Sequence, residues 1–146
     1  MNDGGDDGQR YQSDAEITKL VEDFESCVVP PAQFDHGAHL AVAALYLSGS
    51  PYAEAAGRMR EGLRRYTTHN NAQASYNETL TLFWLKVVRH FLSRADARRP
   101  LAERANALIA AYGSSQLAFD YYSRALAETP EAKASWVEPD LKPMDF

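Results

Sequence analysis

The stretch YNETLTLFWLKVVRHFL, residues 76–92, decides the fold. Leu80, Trp84, Val87, Val88 and Phe91 recur at three- and four-residue spacing, with Phe83 beside them. No glycine or proline interrupts the run. That period belongs to an amphipathic α-helix with one buried side.

The same period continues outward in both directions. Upstream, SDAE at 13–16 offers a capping box, in which the Ser13 hydroxyl caps and Glu16 reaches back. Ile17, Leu20, Val21, Phe24 and Cys27 follow as a stripe, and VVPP ends that helix. A second helix should open at an Asp35 N-cap and run to Leu47, with Leu40, Ala43, Ala44 and Leu47 inward. Ser50-Pro51 opens a third, carrying Tyr52, Ala55, Ala56, Met59, Leu63 and Tyr66. The segment TTHNNAQAS, 67–75, reads as a polar loop without a glycine or proline to mark its ends.

Downstream, Pro100 begins a fifth helix with Leu101, Ala105, Leu108, Ile109 and Tyr112, and Gly113 is its C-cap. A sixth helix is expected from Ser114, with Leu117, Ala118, Tyr121 and Tyr122 inward, and TPEA adds a last short turn. No strand hairpin, repeat or glycine-rich phosphate loop is present in the sequence. The expectation is an all-α, compact single-domain bundle of about five to six helices. It spans residues 13–135, between a disordered tail at 1–12 and an extended tail at 136–146. The latter should dock through Trp136, Val137 and Leu141.

Composition narrows the function. With 146 residues, 45% hydrophobic and 24% charged, the chain can bury a core without a disulfide. Its one cysteine, Cys27, has no internal partner, which fits a reducing compartment. The first residues resemble no signal peptide and no apolar run is long enough for a bilayer, so a cytoplasmic location is expected. A net charge of -5 opposes binding to a phosphate backbone. Arg64-Arg65 and Arg98-Arg99 read as solvated pairs.

The chemistry concentrates in FDHGAHL, 34–40. His36 and His39 are three residues apart, about 60° around a helix, so they share a face. His36 lies on the stripe of Leu40, Ala43 and Leu47 and should point inward. Imidazole suits zinc, iron, copper or nickel. Asn77 and Glu78, in the first turn of the fourth helix, are the candidate further ligands. Two histidines and a carboxylate would leave coordination positions open for water or substrate. His90 is roughly 18 Å along the helix from Glu78 and cannot join it, and His69 reads as solvated. Tyr76, Tyr122 and Arg124 are candidates to orient a substrate, the last two from YYSR at 121–124. Packing is the competing reading of that tyrosine pair.

FDHGAHLAVAALYL, YNETLTLFWLKVVRHFL and YYSRALAETPEAKASWVEPDL, taken in order, resemble a group of small, mostly uncharacterised bacterial helical proteins. The resemblance spans about residues 30–141. Its pattern is His-x-x-His-Leu followed by Tyr-His-Glu-Thr, which His36, His39, Tyr76, Glu78 and Thr79 match. The resemblance implies a site of three histidines and the glutamate, but this chain has Asn77 at the third histidine.

Three functions compete. The first is a small metal-assisted enzyme acting on a metabolite by hydrolysis, isomerisation, elimination or cyclisation, with a divalent metal ion as cofactor. The second is a non-catalytic protein binding a small molecule or partner, its metal site degenerate at Asn77. The third is a helical interaction domain with buried histidines. A homodimer would follow from an exposed apolar face on the fifth or sixth helix.

Overall fold

The computed structural model describes residues 9–146, and among them all regular structure is helical. Five longer helices form the body: α1 (Asp14–Glu25), α2 (His36–Gly49), α3 (Tyr52–His69), α4 (Glu78–Arg94) and α5 (Leu101–Tyr112). Three short ones, α6 (Ala118–Tyr121), α7 (Arg124–Ala127) and α8 (Pro130–Ala134), follow. No helix among the described residues is long and apolar enough to cross a membrane.

α2 is the axle. Its residues include no Asp, Glu, Lys or Arg, and α1, α3, α4 and α5 all pack on it. Burial therefore runs round the helix, through Ala38, Leu40, Ala41, Val42, Ala43, Ala44 and Tyr46, and not along one stripe. A helix without a polar face has to be enclosed, and the alanines let four neighbours come close. Asp35 caps it as expected, its Oδ1 accepting from the Ala38 N–H at 2.9 Å.

α4 serves two clusters. Leu85 and Val88 join the core around α2, whereas Phe83 and Val87 join a second one with Ala118, Tyr121, Tyr122 and Ala127. Trp84 packs at the seam between them. The carboxy-terminal segment closes the second cluster with Trp136, Val137, Met144 and Phe146. Thr79, fully buried in α4, stitches that segment down: its hydroxyl donates to Ser135 O at 2.9 Å and accepts from Val137 N at 3.2 Å.

Several expectations need correction. Residues 9–12 belong to the fold, while residues 1–8 of the expected tail lie outside the described residues. Tyr11 N and O both bond the Asn106 side chain, and Arg10 pairs with Asp35 at 2.7 Å. The polar loop at 67–75 starts later, because α3 runs on to His69. Asn71 then takes a left-handed φ of 57°, with Ala72 N bonding Thr67 O and Asn71 N bonding Thr68 O. This is a Schellman stop in which asparagine does the work of glycine. α1 stops in the same way at Cys27, φ 61°, where Val28 N reaches Asp23 O. Cys27 still packs against the core.

The expected sixth helix is broken into short turns. Tyr122 is extended, and Asp140 accepts from both the backbone N–H and the hydroxyl of Ser123, which recaps the chain for α7. The short turn expected at TPEA forms as α8, with Thr129 as its cap. Leu141 docks through its backbone N–H, which donates to Tyr121 O, and its side chain stays 55% exposed.

Candidate functional site

α2, α3 and α4, with the 70–77 connection, enclose a cavity of about 380 Å³. Leu40, Met59, Leu63 and Leu85 line it with the rings of Phe34, Tyr66 and Trp84, and the exposed residues Pro31 and Ser75 mark its open side. His36 and His39 both contribute to its wall. They arrive there because the Asp35 cap starts α2 at His36 and one helical turn separates the two rings.

The two imidazoles differ. His36 Nε2 lies 3.3 Å from Tyr112 O, and only a protonated nitrogen can donate to that carbonyl. In the neutral ring the proton is then on Nε2 and Nδ1 carries a bare lone pair. The ring also stands edge-on to Trp84, at 4.3 Å between centroids. His39 packs at 4.4 Å against Phe34 and makes no side-chain hydrogen bond among the described residues. Burial lowers the proton affinity of both rings, and for His39 the neighbouring His36 adds to that, bringing it to about 4. Both are neutral at pH 7.

Glu78 does not join them. It is 5% exposed and its carboxylate is held by three neighbours: Tyr76 Oη donates to Oε1 at 2.6 Å, Arg64 Nη2 lies 3.3 Å from Oε1, and Arg60 Nε pairs in charge with Oε2 at 2.8 Å. Burial, then the bond to Glu78, pushes the Tyr76 phenol up to about 12. Asn77 lines the cavity, but both ends of its amide are used. Oδ1 caps Leu80 N at 3.0 Å, and Nδ2 donates to Ala127 O at 2.8 Å. Among the described residues no three His, Cys, Asp or Glu side chains are placed to hold one ion. Of the expected ligand set, the structure unites His36 and His39 and commits Glu78 and Asn77 elsewhere.

Of the expected substrate-orienting residues, Tyr76 lines the cavity and the other two do not. Tyr122 is fully buried in the second cluster, its hydroxyl on Val137 O at 2.7 Å. Arg124 is exposed, bonded to Gln116 and stacked over Phe119 at 4.0 Å. Trp84, Tyr66 and Asn70 are cavity residues that sequence reasoning missed as such. Trp84 and Tyr66 sit on correctly read apolar stripes, but a stripe does not distinguish a filled core from a hollow one.

Comparison of the chain with protein-family models, with curated proteins and with solved structures finds no match.

Proposed function

We propose that the chain binds a small molecule in the α2–α3–α4 cavity, with the His36–His39 pair at the ligand's polar end. The observation that carries this is the pair of neutral imidazoles, His36 and His39, on the wall of a largely apolar space of about 380 Å³. The His39 ring is only partly covered and is free of protein hydrogen bonds among the described residues, so a ligand in the cavity can reach its nitrogens. The volume falls in the range of small-molecule sites. A ring with a proton affinity near 4 holds no proton at neutral pH. His39 therefore works as a lone-pair donor rather than as a proton store.

The test uses N-phenyl-1-naphthylamine, an uncharged fluorescent probe, with amide NMR shifts mapping where it sits. Binding at one site that moves the amides of His39, Leu63, Ala72 and Thr81 supports the reading. Shifts scattered over other faces, or none at all, overturn it.

One feature favours a second reading, the metal-assisted enzyme. A metal-bound histidine commonly donates its other N–H to a carbonyl, and His36 does so to Tyr112 O. In that reading His36 Nδ1 and His39 hold a divalent ion, and water and substrate complete its shell. Elemental mass spectrometry decides. About one metal per chain, lost in His36→Ala/His39→Ala, supports it; metal-free protein after reconstitution sinks it.

A further inference from the structure

The cavity wall contains no Asp, Glu, Lys or Arg, and its two histidines are neutral. In a chain that is 24% charged this is a selective surface. A charged ligand entering it would shed its water and meet no counter-ion, a cost that burial of apolar area does not offset.

The polar atoms on the wall narrow the ligand further, because most donors are already spent on the protein. The Tyr66 hydroxyl donates to Val29 O, that of Thr67 to Arg64 O, that of Ser75 to Ala72 O and that of Tyr76 to Glu78. Asn77 is used at both ends. At the histidine end the acceptors left bare are His36 Nδ1 and one nitrogen of His39. The other His39 nitrogen carries an N–H; elsewhere on the wall the Trp84 indole N–H and Asn70 Oδ1 also have no protein partner among the described residues, and the Thr81 hydroxyl lies against Tyr76. A group that both donates and accepts satisfies this set, and a hydroxyl is the smallest that does. The aromatic walls, Phe34, Tyr66 and Trp84, suit a flat ring as the ligand's body.

Resting on the cavity being a ligand site, we propose that it selects uncharged aromatic molecules bearing a hydroxyl of the phenol type. The hydroxyl donates to a bare imidazole nitrogen of the His36–His39 pair. A phenol is a stronger donor than an aliphatic alcohol, and it stays neutral at pH 7.

The experiment titrates the full chain at pH 7.5 with 2-naphthol, 2-methoxynaphthalene and 2-naphthoate, read by probe fluorescence and calorimetry. The three share one ring system and differ in donor and charge. The expected result is one site for 2-naphthol, with binding at least ten-fold weaker for the methyl ether and weaker still for the carboxylate. In a folded His39→Phe variant the preference for 2-naphthol over the ether shrinks while the ether still binds. Equal affinity for 2-naphthol and the ether overturns the hydroxyl assignment and leaves the ligand site standing. Preference for 2-naphthoate overturns the uncharged class. Failure of all three to bind removes the ligand site as well. The wild-type comparison stands by itself, so a variant that does not fold costs no outcome.

Discussion

A free histidine takes up a proton near pH 6.5, whereas His39 in the folded chain waits until about pH 4. Between those values the unfolded chain binds a proton that the folded chain refuses. This part of the stability is complete above pH 6.5 and is lost as pH falls toward 4, a loss of up to about 3 kcal/mol. His36, also lowered, acts in the same direction. Urea unfolding of wild type and His39→Phe at pH 7.5, 6.0 and 5.0 measures it. The wild type should lose more stability on acidification than the variant, and parallel profiles would contradict the burial. That these two residues face inward together was legible from their three-residue spacing. The fate of Glu78 was not. Its partners, Arg60 and Arg64, come from another helix, and no local pattern announces a pairing across the fold.

Each element ends where its backbone is told to, and two of the instructions were hard to read. Asn71 stops α3 in a left-handed conformation, exposed and without glycine's signature. Asn71→Gly should raise stability by about 0.5 kcal/mol and Asn71→Ala should lower it by about 1 kcal/mol, measured by thermal or urea unfolding. Gly62 presents the opposite case. It sits inside α3, where alanine would ordinarily add about 1 kcal/mol. A Cβ there would lie 2.6 Å from Phe24 Cε2, and that ring is stacked at 4.8 Å on Phe34 and cannot retreat. Gly62→Ala is therefore expected to cost about 1–2 kcal/mol net, from overpacking. The longer helices themselves were legible because each carries an apolar period and a cap or proline at its start. The stretch after Ser114 carries the same period, but Ser123 restarts the chain at α7, whereas the short turn expected at TPEA is α8, capped by Thr129. The Ser123 cap was a start signal in plain view, outweighed in the reading by the continuity of the stripe.

At the scale of the molecule, two clusters share one helix. Deleting residues 136–146 uncovers Phe83, Val87 and Tyr122 and leaves the α2-centred core its neighbours. The expected result is a loss of about 3 kcal/mol or more with new binding of a hydrophobic dye, by analogy with emptied cores. An unchanged urea midpoint would show that the segment is ornamental. The helical class was readable from periodicity alone. The hollow beside α2 was not, since a cavity is a property of how volumes meet in three dimensions. Nor was the homodimer's face found: the strongly exposed large apolar side chains among the described residues are Val28, at 62%, and Leu141, neither on α5 or α6. The uncharged α2 has one more consequence, in time rather than in space. On the ribosome it emerges after α1 but before α3, α4 and α5, three of the four helices that enclose it. Until they arrive, the nascent chain displays fourteen residues with no charged side chain to discourage association. Slowing synthesis between Gly49 and Leu101 would prolong that interval, and yield of soluble protein would fall with it.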